Sequence, residues 1–180
     1  IFDFGEVEGA LDLAMALIGE GRTLRDLLEA EAPLELTHAL AILAPLAAAL
    51  DDLHGQDPPL THRDLKPANV LLDGDAARPW VVLTDFGLVR SMQVSTKLTQ
   101  SGSILGTPAY MAPEQADRAR WGEVTPLADV YALGVVAYEM LTGRAPFAGE
   151  VLEVLHAHAY NPPPDPREAN PDLPDAVAGA

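Results

Sequence analysis

Cysteine is absent from the 180-residue chain, which excludes disulfide frameworks, thiolate zinc sites and thiol nucleophiles. Lysine is nearly absent too, with only Lys66 and Lys97 beside nine arginines. Positive charge is scarce overall: 11 Lys+Arg stand against 27 Asp+Glu, a formal net charge of −16. Such a chain lacks the basic stripe with which a nonspecific nucleic-acid binder displaces counterions. Long apolar runs are missing as well. The longest, Ala39–Leu50, has 12 residues with Pro45 inside it, short of the ~20 that a bilayer requires, so no membrane segment is expected. No charged-then-apolar leader opens the chain at Ile1, and a fragment of a longer protein is expected. Against these absences, 48% of residues are hydrophobic and 21% charged, enough to bury a real core. The length suits one domain of ~100–200 residues, or a large piece of one.

The pattern along the chain predicts a small β hairpin followed by a mainly helical body. Ile1–Glu8 and Ala10–Ile18 read as the paired strands, joined at Gly9. Gly19-Glu20-Gly21 breaks the pattern; a phosphate-binding G-x-G-x-x-G would need glycine where Leu24 stands, so these residues are read as a turn. A short helix is predicted over Thr23–Ala30, with Thr23 as cap and Asp26 in a capping-box place. A longer one is predicted over Leu36–Leu53, with Gly55 past its end. Val70–Leu72 and Val81–Leu83 read as strands around a polar loop, Asp73–Pro79. Val89–Ile104 carries no period and is expected to be a long, mobile and functional loop. Thr125-Pro126 opens a helix to Thr142, apolar nearly all round and so expected to be buried. Another helix is predicted over Glu150–Ala159, then a Pro-rich extended segment over Asn161–Pro174, beyond which a new helix could begin. His38, His54, His156 and His158 have no ligand at metal spacing and are expected on the surface or on helix faces.

The chemistry concentrates in His62-Arg63-Asp64-Leu65-Lys66-Pro67-Ala68-Asn69, a loop between a helix and two short strands. Asp64 can accept a proton from a hydroxyl, and Lys66 can reach the same phosphoryl group as a cation. Asn69 offers a neutral oxygen to a metal. Asp85-Phe86-Gly87 follows the second strand; an acid there suits Mg²⁺, which takes few protein oxygens plus phosphate oxygens. Gly106-Thr107-Pro108-Ala109-Tyr110-Met111-Ala112-Pro113-Glu114 closes the long loop.

In order and spacing, HRDLKPAN at 62–69, DFG at 85–87, GTPAYMAPE at 106–114 and DVYALG at 129–134 resemble the eukaryotic-like serine/threonine protein kinases common in bacteria. The resemblance covers the whole chain. It implies an α+β, protein-kinase-like two-lobe fold. Residues 1–18 would be the last hairpin and hinge of the N-terminal lobe, and 19–180 an incomplete C-terminal lobe. The implied activity is transfer of the γ-phosphoryl group of ATP to Ser/Thr hydroxyls of proteins, with Mg²⁺. By position in the motifs, Asp64 would orient and deprotonate the hydroxyl, Lys66 would neutralise phosphoryl charge, and Asn69 and Asp85 would hold the metal. Thr107 would bond Asp64 or Lys66, and it resembles the mark of Ser/Thr specificity. His62 and Phe86 would pack as supports, Asp129 would bond the catalytic-loop backbone, and Glu114 would await an Arg beyond the chain. Met15 would back the adenine pocket, the main chain of Ala16 and Ile18 would bind adenine, and Leu71 would pack beneath it. Thr99 and Ser101 would be activating phosphorylation sites, with Arg63 pairing the phosphate.

The Gly-rich loop, the strand lysine and its Glu partner would precede Ile1, so the isolated 180 residues are expected to be inactive while the parent is active. The alternative is a non-catalytic kinase-fold module for nucleotide sensing or scaffolding. A small-molecule phosphotransferase fits less well, because GTPAYMAPE is the segment that docks an extended peptide. The expected location is the cytoplasm, with any membrane anchor of the parent outside this chain.

Overall fold

A computed structural model describes residues 3–7, 10–14, 18–75, 78–85 and 108–178. Met15, Ala16, Phe86, Thr99, Ser101, Thr107 and the loop Val89–Ile104 lie outside the described residues. The first two strands, β1 (Asp3–Val7) and β2 (Ala10–Ala14), pair antiparallel from Asp3↔Ala14 to Val7↔Ala10. After them, a 3-10 turn at Gly19–Gly21 puts Glu20 at φ +54. It delivers the chain to helix α1 (Leu24–Glu31).

Thr23 caps α1 as its sequence promises. Its hydroxyl accepts from Asp26 N at 3.2 Å, and the Asp26 carboxylate accepts from Thr23 N at 2.8 Å. Helix α2 (Leu36–His54) buries Ala39, Ile42, Leu46 and Leu50, a single stripe at helical spacing. Glu35 holds its N-cap position with no side-chain bond. At 19 residues, α2 is long and apolar enough to cross a bilayer by length and composition alone, a test that the core helix of a folded domain also passes. Here its apolar stripe packs against helix α5 (Leu127–Thr142) and strand β4 (Trp80–Leu83).

Strands β3 (Val70–Asp73) and β4 form a second antiparallel pair, Val70↔Leu83 to Asp73↔Trp80. Two one-turn helices, α3 (Pro113–Ala116) and α4 (Arg118–Trp121), follow the 3-10 turn Pro108–Tyr110. Neither is predicted, because four residues are too few to show a period. Helix α5 is less buried than its composition suggests. Ala132, Val135, Val136, Met140 and Leu141 face the core, while Leu127 and Val130 are 70% and 53% exposed. Gly143 ends α5 in the left-handed conformation at φ +79, where Ala32 and Pro33 lie against it. Leu34 N then bonds Met140 O at 2.7 Å and ties the α1–α2 connection to α5.

The core joins these elements. Leu24, Ile42, Leu46, Leu65, Val70, Val136 and Met140 are fully or almost fully buried within it, each large aliphatic side chain contributing about 1.5–3 kcal/mol by removal from water. The Pro-rich stretch differs from its expected extended form. It holds a 3-10 turn at Pro166–Glu168, buries Leu173 in the core, and bonds Asn170 Nδ2 to Leu141 O at 2.8 Å. Helix α7 (Asp175–Ala178) starts just after it.

Helix α6 (Val151–Tyr160) carries His158 inward rather than on an outer face. Tyr131 Oη and His158 Nδ1 share a 2.6 Å hydrogen bond, and Phe147 meets the imidazole edge-on. Nε2 has no hydrogen-bond partner among the described residues. Burial lowers the His158 pKa, and the Ala109 carbonyl offsets only part of that effect. Because the folded state disfavours the imidazolium, the unfolded chain takes up the proton first. Stability from this group is therefore complete above the ordinary value of 6.5 and is lost as the pH falls through and below it. Thermal unfolding should show a larger drop in Tm between pH 7.5 and 5.5 for the parent than for His158→Leu. Equal drops would show that His158 does not carry this dependence.

Candidate active site

Residues 61–66 have no regular structure, and their shape is imposed from outside. Asp129, on the first turn of α5 and only 1% exposed, supplies that constraint. Its Oδ1 accepts from Arg63 N at 2.8 Å; its Oδ2 accepts from His62 N at 2.7 Å and from His54 Nε2 at 2.8 Å. A buried carboxylate is costly unless donors surround it, and these three fix the loop while meeting that cost. Arg63 is held at φ +69, a region that non-glycine residues rarely occupy.

His62 is buried between the loop and β4. Thr84 O can only accept, so the 2.7 Å contact with His62 Nε2 puts a proton on that nitrogen. Nδ1 is then the acceptor for Asp64 N at 3.3 Å. One imidazole thus ties the catalytic-loop backbone to the strand that leads into Asp85.

Asp64, Lys66 and Asn69 converge. Lys66 Nζ donates to Asp64 Oδ2 at 2.7 Å. Asn69, buried in the 3-10 turn Pro67–Asn69, donates Nδ2 to Asp64 O at 2.8 Å and to Asp64 Oδ2 at 3.0 Å. Both donors fall on Oδ2, and Asp64 Oδ1 keeps no partner among the described residues. The pair Asp64–Lys66 is partly exposed, with side chains 29% and 20% accessible, so a substrate can reach it.

Asn69 and Asp85 come from adjacent strand ends. Thr84 N bonds Asn69 O at 2.9 Å and extends the β3–β4 ladder to the residue before Asp85. Asp85 itself is exposed and left-handed at φ +62. With Nδ2 committed to Asp64, the Asn69 amide turns Oδ1 away from that carboxylate, free of protein donors among the described residues. No group of three or more His, Asp or Glu suited to a metal occurs among the described residues. One amide oxygen and one carboxylate fit a hard cation that takes its remaining ligands from phosphate and water, as Mg²⁺ does.

Of the expected adenine contacts, Ile18 and Leu71 are both half-buried. The chain leaving Ile18 lies along β3, with Thr23 bridged to Leu71 and Leu72 N bonded to Arg22 O at 2.9 Å. Glu114, on α3, makes no ion pair among the described residues. Arg63, Asp64, Tyr110, Met111 and Gln115 line one cleft.

Three polar partners were not legible beforehand. His54, at the end of α2, is mostly buried against Asp129, 75 residues away, and no local pattern marks that partner. Tyr110 Oη donates to Glu139 at 2.6 Å and accepts from Arg25 at 3.1 Å, linking α5 and α1. Burial, reinforced by the Glu139 carboxylate, pushes the Tyr110 phenol far above its usual value. Gln115 Nε2 donates to Arg63 O at 2.7 Å.

The protein kinase domain family matches residues 2–165. The DNA damage-responsive serine/threonine-protein kinase RqkA of Deinococcus radiodurans is 47% identical over 149 residues, 82% of this chain and 21% of the relative. Serine/threonine-protein kinase PknE of Mycobacterium tuberculosis is 40% identical over 98% of this chain and 29% of its own length. PrkC of Bacillus subtilis is 36% identical over 98% of this chain and 26% of its own. The chain thus spans between a fifth and three tenths of the curated relatives it matches. Relatives named as kinases give no support to a non-catalytic module. With the family matched along most of its length and the motif residues gathered at one loop, the chain belongs to the protein kinase family, as a bacterial-type serine/threonine kinase domain.

Proposed function

We propose that the protein carrying this domain transfers the γ-phosphoryl group of ATP to serine or threonine hydroxyls of other proteins. The supporting observation is the Asp64 carboxylate, restrained through Oδ2 by Lys66 and Asn69 on a loop that Asp129 fixes. Asp64 Oδ1 accepts the hydroxyl hydrogen and orients the oxygen. That oxygen forms a bond to the γ-phosphorus as the bond to the β,γ-bridging oxygen breaks; ADP leaves, and the proton passes to Asp64. Lys66 offsets the negative charge on the phosphoryl oxygens. Asn69 Oδ1 and the Asp85 carboxylate hold Mg²⁺, which when bound neutralises phosphate charge.

Residues 1–18 serve as the end of the N-terminal lobe and the hinge, and 19–180 as the C-terminal lobe. In the same reading Met15, Ala16, Ile18 and Leu71 would form the adenine site, Phe86 would support the DFG segment, and Thr107 would bond Asp64 or Lys66. We read the domain as cytoplasmic, since the proposed chemistry consumes ATP.

Asp64→Asn should lower single-turnover transfer by ~10²–10⁴ while ATP affinity stays nearly unchanged. Transfer within about threefold of the parent would show that Asp64 is not the catalytic group.

Thr99 and Ser101 stand seven and five residues before Gly106, and we read them as activating phosphorylation sites. A phosphate there can form one to three charge-assisted bonds, with Arg63 as a partner. Mass spectrometry of the active protein should find one or both modified. Finding both bare in a fully active preparation would remove the assignment.

A further inference from the structure

We infer that Gln115 is a positioning residue, which holds the catalytic loop in its working shape through the carbonyl of Arg63. The inference rests on the reading of Asp64 as the catalytic group.

Arg63 sits at φ +69. Such a conformation in a non-glycine residue costs on the order of a kcal/mol or more, and it persists only where the surroundings over-determine it. Three side chains do so here, Asp129 on the peptide before the residue and Gln115 and His62 on the peptide after it. Asp129 Oδ1 takes the Arg63 N–H at 2.8 Å, and Gln115 Nε2 donates to the Arg63 carbonyl at 2.7 Å. Asp129 alone fixes only one of the two peptide planes that meet at Arg63. The second plane is the one that leads into Asp64; Gln115 holds its carbonyl at 2.7 Å, and His62 Nδ1 takes its N–H at a longer 3.3 Å.

The Gln115 amide has a defined orientation. Its Oε1 accepts from Ala112 N at 3.0 Å, and its Nε2 faces a carbonyl. Exchanging the two ends would set donor against donor and acceptor against acceptor. One side chain therefore joins the start of α3, in the peptide-docking segment, to the residue before the catalytic Asp64. Gln115 also lines the same cleft as Arg63, Asp64, Tyr110 and Met111. A shift of the Arg63–Asp64 peptide would displace the Asp64 carboxylate from the hydroxyl, and misplacement by ~1 Å costs about 10² in rate.

Capping α3 and holding the loop are separable. Gln115→Glu keeps an oxygen for Ala112 N but presents a carboxylate to the Arg63 carbonyl, so the cap survives and the tie does not. Gln115→Met removes both with little change of shape. The variants should be made in the protein as it exists and compared with the parent by steady-state kinetics, hydrogen exchange and thermal unfolding. Both should show kcat lowered about tenfold or more, with the ATP KM within twofold of the parent. Amides of residues 62–65 should exchange at least fivefold faster, while those of α2 and α5 keep the parent's protection. The Tm of Gln115→Glu should remain close to that of the parent, which a merely structural residue would not combine with a fall in kcat.

Unchanged exchange at 62–65 in Gln115→Glu overturns the inference whatever the rates. A kcat within twofold of the parent, with Asp64→Asn inactive, overturns it as well. If Asp64→Asn retains transfer, the catalytic reading of Asp64 fails instead, and the exchange result alone decides whether Gln115 holds the loop.

Discussion

A single buried carboxylate organises this domain. Asp129 lies under the catalytic loop with almost no contact with water, and it can be there only because His54, His62 N and Arg63 N all point at it. The requirement runs both ways. A segment without regular structure needs outside partners for its backbone groups, and an acceptor buried on α5 needs donors. Removing either side leaves the other unsatisfied in the interior, where an orphaned polar group costs about 1–3 kcal/mol and a charged one more. The loop's irregular path is therefore the arrangement that satisfies both.

From that anchor the site extends in two directions. Through His62 it reaches Thr84 and the end of β4, which sets where Asp85 leaves the ladder. Through Arg63 it reaches Asp64, whose carboxylate is gripped on one oxygen by Lys66 and Asn69. Arg63 and Asp85, two of the three described non-glycine residues with positive φ, flank the chemistry. Rare backbone conformations gather where surrounding contacts are dense enough to hold them.

Much of this was readable from the chain itself. The capping box at Thr23, the helix ending at Gly55 and the paired strands at 70–73 and 80–83 follow from short-range rules. The motif residues Asp64, Lys66, Asn69 and Asp85 stood out by type and spacing. What could not be read was partnership across long separations. Nothing near His54 announces an acid 75 residues later, and Gln115 meets Arg63 across 52 residues. Helix α5 misled because Leu127 and Val130 are apolar yet exposed; composition records hydrophobicity but not which side faces water. The Pro-rich tail misled in the opposite sense, since one leucine, Leu173, suffices to pin it to the core.

The separation between the loop and its anchor also bears on how the chain reaches its working form. Residues 62–69 emerge from the ribosome well before Asp129, by about 3–13 s at ~5–20 residues per second. During that interval the N–H groups of His62 and Arg63 bond to water in place of Asp129. Joining sites 66 and 67 residues apart carries a loop-closure entropy, which the packing of α5 into the core, against α2 among other elements, helps to offset. The shape of the loop thus depends on α5 being in place in the core. A half-folded chain carries Asp64, Lys66 and Asn69 without the anchor that gives their loop its shape.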